Sequence, residues 1–186
     1  MKKGKLLIIS GPSGVGKTTI VRDLLKIDGI VKSVSATTRE RRHQETDGRD
    51  YYFYTKKQFQ KGLEKGKFLE YAEIFDNLYG TPREPVEDAV KNGKVVILEI
   101  DVQGANSIRK LGLDHFSIFV LPPNIDELNR RLTKRHSESP QDAERRLKIA
   151  KDEISQKDLY NACVVNDDVS RAVAEIKDIL IKDGIL

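Results

Sequence analysis

Apolar positions along the 186-residue chain follow two alternating rhythms. Short runs rich in Val and Ile at 5–10 (KLLIIS), 94–100 (KVVILEI), 116–121 (FSIFVL) and 162–166 (ACVVN) have the character of strands buried on both faces. A shorter strand is expected at 31–36. Between these runs, apolar residues recur every three or four positions, the period of a helix with one buried face. One helix opens at Lys17 with Ile20, Val21, Leu24 and Leu25 on one side and ends near Gly29. A second starts at Asn124, with Glu127 placed as in a capping box and Leu128 and Leu132 one turn apart. A third begins at Ser139-Pro140, a cap residue followed by the residue best tolerated in a first turn, and turns Leu147, Ala150 and Ile154 inward. The last, over 169–181, carries the stripe Val169, Val173, Ile176 and Leu180. Strands alternating with helices predict an α/β fold, a parallel sheet flanked by helices.

Residues 35–92 break this rhythm. They hold an aromatic strand at 51–54, a short helix capped by Thr55 with Gln58 behind it, a strand at 68–74 and a turn at 77–82. The expected organisation is one domain: a core of 1–34, 93–124 and 158–186, an inserted lobe at 35–92, and a small helical lid at 125–157. No internal repeat is present.

Between the first strand and the first helix stands Gly11-Pro-Ser-Gly14-Val-Gly16-Lys17-Thr18, a full match to the P-loop pattern in its required context. Gly11, Gly14 and Gly16 let the backbone turn its amides onto phosphate oxygens, and the helix N-terminus adds partial positive charge. Lys17 reaches the β- and γ-phosphates, and the Thr18 hydroxyl can hold Mg²⁺. GTPases, ATPases and small-molecule kinases all use such a loop, so the motif alone leaves the reaction open.

Composition narrows the setting. Charged residues make up 33 % and hydrophobic ones 38 %, as in ordinary globular proteins, and no apolar stretch approaches the ~18 residues needed to span a membrane. The basic start at Met1–Lys5 precedes an apolar run of only Leu6 to Ile9, too short for a signal-peptide core. A lone cysteine, Cys163, sits in an apolar run and fits a reducing, cytoplasmic location. The net charge of +4 is modest and no nucleic-acid-binding signature accompanies it, so small phosphorylated ligands account for the basic excess better than nucleic acid does.

The segment SVSATTRERRHQETDGRDYY brings Arg39, Arg41 and Arg42 close to Tyr51 and Tyr52. Arginine forks suit a doubly charged phosphomonoester, although a solvated loop would have similar composition. The strings ISGPSGVGKTT, SVSATTRERR, DGRDYYF, FLEYAE, NLYGTP, LEIDVQG and VVNDD, in this order and spacing, resemble the guanylate kinase family over most of the chain.

The resemblance implies a P-loop NTPase-type sheet with a GMP-binding lobe and a helical lid. It also implies transfer of the γ-phosphoryl group of ATP to GMP, with dGMP as a further acceptor and Mg²⁺ as cofactor. Ser13, Gly14, Val15, Gly16, Lys17, Thr18 and Thr19 are its ATP-binding loop, and Asn166 and Asp167 lie beside the adenine. Arg39, Arg42, Tyr51 and Tyr79 bind the GMP phosphate, while Ser35, Glu70 and Thr81 read the guanine. Chemistry supports that last set: guanine offers two adjacent N–H donors and a carbonyl, matching a carboxylate and hydroxyls. A buried charge left unpaired costs about 1–3 kcal/mol or more, enough for roughly tenfold to several-hundredfold discrimination against adenine.

Glu99 and Asp101 leave the strand 94–100 on the same side, at the carboxyl end where open α/β sheets put ligands. By the resemblance, Asp101 is an acid near GMP and the metal, and Glu99 replaces a more usual Asp. Lys17, Arg42, Arg135 and Arg146 are the catalytic set, with Arg131 one turn before Arg135. Arg130 and Lys134 fit a solvated helix face. His43-Gln44 and His136 depart from the family wording at loop positions. Gly80, beside Tyr79, suggests a close approach of ligand. Two alternatives stand beside this reading: a kinase for another nucleoside monophosphate, and a catalytically silent module that binds phosphopeptides, against which the intact Lys17 and Thr18 argue. Monomer and homo-oligomer both remain compatible with the sequence.

Overall fold

In the computed structural model, residues 4–74, 76–133 and 140–186 are described. A five-stranded parallel sheet forms the centre, built from β1 (Lys5–Ser10), β2 (Ile30–Lys32), β7 (Val95–Glu99), β8 (His115–Leu121) and β9 (Ala162–Val165) in the order β2-β7-β1-β8-β9. The apolar runs form this sheet because both its faces are covered. On one face Leu7, Ile9, Ile97 and Ile118 pack with α1 (Lys17–Leu24) and α7 (Val169–Lys182). On the other Leu6, Ile8, Val96 and Leu98 pack with α3 (Arg83–Lys91) and α4 (Val102–Lys110).

Ile176 and Leu180 of the predicted α7 stripe are fully buried, joined by Ala172, while Val169 and Val173 lie at its margin. Burying a side chain of this size contributes about 1.5–3 kcal/mol, so the stripe rather than helix propensity holds α7 in place.

A second, four-stranded sheet comprises β3 (Ala36–Thr37), β4 (Tyr52–Phe53), β5 (Phe68–Ile74) and β6 (Asn77–Pro82), ordered β4-β3-β6-β5. Its small core is Ala36, Phe59 and Phe68, with Phe59 supplied by α2 (Lys56–Glu64). The box predicted at Thr55 is present: Gln58 N donates to Thr55 Oγ1 at 3.2 Å, and Thr55 N donates to Gln58 Oε1 at 2.8 Å.

Three expectations change. The strand expected at 31–36 divides, residues 30–32 pairing with β7 and residues 36–37 with β6 in the other sheet. The turn expected at 77–82 is strand β6, antiparallel to both β5 and β3. Gly80 within it lines a cleft and also serves packing: a Cβ there would lie 2.9 Å from Phe59 Cζ and 3.0 Å from Phe68 Cδ1, so the aromatic pair by itself demands the glycine. Helices α3 and α4 carry no prediction above, and α3 contributes Val86 to the core of the main sheet.

Helix α5 (Ile125–Thr133) starts as expected, Glu127 N donating to Asn124 Oδ1 at 2.8 Å. The Glu127 carboxylate does not complete a capping box; it accepts from Arg130 and Arg131, which hold its carboxyl down to about 2. Leu128 and Leu132 pack against Ala150 of α6 (Pro140–Ile154). Among the described residues, no helix is long and apolar enough to cross a membrane.

Candidate active site

The loop from Gly11 to Gly16 leaves the central strand β1 and enters α1, so it sits at the carboxyl edge of the sheet, where open α/β sheets put ligands. Gly11, Gly14 and Gly16 have φ values of 143°, 81° and 99°. A Cβ at Gly11 would lie 2.3 Å from Val120 O, and one at Gly16 would lie 2.4 Å from Asn166 Nδ2. Both conformation and space therefore exclude a side chain at these two positions.

The loop is braced from beneath. Asn166, buried, donates through Nδ2 to Val15 O at 2.7 Å. Arg131 reaches Val15 O and Asn166 O, each at 3.3 Å, and donates through Nε to Glu127 at 2.8 Å. Asn166, expected beside an adenine, thus shapes the loop, and Arg131, weighed as a lid arginine, ties α5 to the loop. Asp167 is exposed and pairs with Arg171 at 2.9 Å. Ser13 and Thr18 are exposed on the loop, Thr19 is half-buried and Val15 is buried.

A cleft of about 590 Å³ runs from this loop to the second sheet. Ser13 and Lys17 line one end; Ser35, Arg39, Arg42, Tyr51, Glu70 and Tyr79 line the other; Glu99, Asp101 and Arg146 lie along it. The topology thereby gathers most of the residues singled out in the sequence. Arg135 lies outside the described residues.

Within the cleft, Lys17 Nζ donates to Gly11 O at 2.5 Å and Pro12 O at 3.0 Å, so its ammonium is held over the loop. Thr18 Oγ1 donates to Glu99 Oε1 at 2.5 Å, and Lys32 Nζ donates to Glu99 Oε2 at 2.5 Å. Glu99 therefore stands closest to the phosphate-loop end. A threonine hydroxyl beside a carboxylate is a hard-oxygen donor set that suits Mg²⁺. Asp101 caps α4 by accepting from Gly104 N at 2.8 Å, and burial raises its pKa, opposed by that bond and by Lys17.

The far end contains a buried acid. Glu70 in β5 is 6 % exposed, and burial pushes its pKa up to about 7 despite a hydrogen bond from Thr81 Oγ1 at 2.5 Å. Helix α4 leaves room for it only because residue 104 is glycine: a Cβ there would lie 2.6 Å from Glu70 Oε2. Arg39 sits with its guanidinium carbon 5.6 Å from the centre of the Tyr51 ring, and the Tyr51 and Tyr79 rings meet edge to face at 6.1 Å. Burial raises the Tyr51 pKa, keeping its hydroxyl a donor.

Four residues that the sequence did not single out also belong here. Lys32 pairs with Glu99, Gly104 accommodates Glu70, Glu45 holds Arg39, and Glu153 of α6 lines the cleft with its pKa raised by burial to about 7. Charge in a loop or on a helix face gives no local signal of such partners. For Glu153, the spacing of seven from Arg146 was the available hint, since it puts both on one side of α6.

The guanylate kinase family model matches residues 3–183. A guanylate kinase of Clostridium perfringens is 48 % identical over 182 residues, covering 97 % of this chain and 84 % of that protein. One from Clostridioides difficile is 44 % identical over 181 residues, covering 97 % and 88 %. The crystal structure of guanylate kinase from Anaplasma phagocytophilum superposes with a TM-score of 0.82 at 38 % identity, covering 98 % of this chain and 87 % of that one. A phosphate loop facing a buried acid and paired tyrosines across one cleft, in a chain alike over nearly its whole length, places this protein in the guanylate kinase family.

Proposed function

We propose that the two ends of the cleft divide the family's reaction between them, the phosphate loop taking ATP and the far end taking GMP. The chain is an ATP-dependent kinase that phosphorylates GMP to GDP in nucleotide metabolism. The division of labour rests on one observation above all, the buried Glu70 with Thr81 at its side. An ionised carboxylate accepts both N–H donors of guanine's edge, and the hydroxyls of Ser35 and Thr81 suit the same ring. Adenine would leave the carboxylate unpaired.

Arg39, Arg42, Tyr51 and Tyr79 hold the acceptor phosphate by charge-assisted bonds and orient one of its oxygens toward ATP. Lys17 moves from the loop carbonyls to the β- and γ-phosphates, while Arg42 and Arg146 stabilise the charge that spreads over the transferred group. Arg135 joins them in this proposal. Mg²⁺, when bound, supplies neutralisation of the triphosphate charge, and Thr18 with Glu99 would hold it. No general base is required, because the attacking phosphate oxygen is already anionic. Base and phosphate carry the recognition, so dGMP is an acceptor too.

An assay of ADP formation with GMP, AMP, UMP and CMP as acceptors tests this reading. GMP should exceed AMP in kcat/KM by at least about tenfold; equal rates would refute the acceptor assignment.

A further inference from the structure

The loop bearing Arg39 and Arg42 is tied together by a carboxylate that neither the phosphate chemistry nor the base chemistry uses. Glu45 Oε1 accepts from Arg39 Nη2 at 2.7 Å, and Glu45 Oε2 accepts from the backbone N–H of Arg42 at 2.9 Å. The backbone closes the same turn, Glu45 N donating to Arg42 O at 3.1 Å. Both side chains of the Arg39–Glu45 pair are only 18 % exposed, so the pair is better shielded than an ordinary surface ion pair. Burial alone would raise the Glu45 pKa, yet the Arg39 guanidinium and the Arg42 amide hold it below its usual value.

The geometry of these bonds is selective. Arg39 gives Glu45 one nitrogen, gives Glu40 O another at 2.6 Å, and rests its guanidinium carbon 5.6 Å and 5.9 Å from the ring centres of Tyr51 and Phe53. Its plane is therefore fixed before substrate arrives. Glu45 holds Arg42 by the backbone, leaving the guanidinium outside that bond. One carboxylate thus sets both the orientation of Arg39 and the path of the chain that presents Arg42. An arginine held in place forms its bonds to phosphate without the entropy of ordering a long side chain.

We infer that Glu45 is a positioning residue for the acceptor phosphate: it preorganises Arg39 and Arg42 and thereby sets the affinity for the phosphomonoester, without touching it. The inference rests on the assignment of GMP to this end of the cleft. Wild-type turnover of GMP over AMP tests that assignment separately.

The test compares Glu45→Ala and Glu45→Gln with wild type in steady-state kinetics, and measures inhibition by guanosine, which has the base but no phosphate. Glu45→Ala should raise KM for GMP at least tenfold, with KM for ATP and guanosine inhibition within about twofold of wild type. Glu45→Gln should recover part of the loss, because its amide oxygen still accepts one of the two bonds. An unchanged KM for GMP would overturn the inference, and a lowered one would show that Glu45 competes with the phosphate instead. Equal weakening of GMP, ATP and guanosine would overturn it as well, marking Glu45 as a general structural residue.

Discussion

At the loop end of the cleft, the groups proposed to meet phosphate belong to one unbroken stretch, Gly11 to Thr18, whose shape is fixed by glycine φ values and by Asn166 and Arg131 from beneath. The end proposed to take the acceptor instead assembles single side chains: Glu70 from β5, Thr81 and Tyr79 from β6, Tyr51 beside β4, and arginines from the loop after β3. A backbone-built site is intolerant of any added Cβ but reads little beyond charge. A site of side chains is adjustable one residue at a time, which is where selectivity resides. Substitutions at the two ends should therefore fail in different ways.

The largest expected effect is at the loop. Lys17→Met removes the ammonium that would follow the triphosphate, and kcat should fall by about 10²–10³-fold, while GMP binding measured by calorimetry stays near wild type. Loss of GMP binding in that variant would break the separation of the two ends.

Gly104→Ala should act next, and on the acceptor end alone. Alanine favours a helix over glycine by about 1 kcal/mol, so an innocent substitution would stabilise α4. The Cβ, 2.6 Å from Glu70 Oε2, should instead push the carboxylate off Thr81, raising KM for GMP about tenfold and lowering Tm. In a Glu70→Ala background the same substitution should lower Tm much less, the close neighbour that remains being Ile100 Cβ at 3.2 Å. Stabilisation in both backgrounds would show that α4 does not set the position of Glu70.

Asp167→Ala should have the smallest effect. Its carboxylate is exposed and paired with Arg171 one turn on, an arrangement typically contributing 0–1 kcal/mol, so Tm should barely move and KM for ATP should rise by about twofold to fivefold. A larger loss would give Asp167 a direct part in holding the donor.

The sequence disclosed the two ends unequally, for the same physical reason. Strands β1, β7, β8 and β9 stand out because a sheet covered on both faces needs continuous apolar runs, and the loop stands out because its function is local. The second sheet was harder to see. Gly80 and Pro82 make NLYGTP look like a turn, yet pairing on both sides, with β5 and β3, overrides local preference, and Gly80 is there for Phe59 and Phe68. Glu70 and Thr81 were visible only through family resemblance, since the two, eleven positions apart, become neighbours only through the β5–β6 register. Glu45 gave no signal, because a carboxylate in a polar loop looks the same whether it is solvated or paired, and Glu153 offered only its spacing of seven from Arg146.

Selection of the acceptor by the buried Glu70 carboxylate, independently of the donor loop, is testable through pH. Burial raises Glu70 from its usual 4.5 to about 7, so between these values the nucleotide-free native state holds a proton that the unfolded chain has lost. That term stabilises the fold below about pH 4.5 and is lost as pH rises to about 7, amounting to about 3 kcal/mol. Guanine requires the ionised form, so GMP binding should strengthen as pH rises through 7. Glu153 titrates in the same range and lines the same cleft, so the control must alter Glu70 alone. The decisive measurement is calorimetric titration of wild type and Glu70→Gln with GMP, and separately with a non-hydrolysable ATP analogue, at pH 6 and pH 8. Glu70→Gln should weaken GMP at pH 8 at least tenfold, abolish most of its pH dependence, and leave the ATP analogue unchanged. Parallel weakening of both nucleotides, or an undiminished pH dependence for GMP, would contradict selection by Glu70.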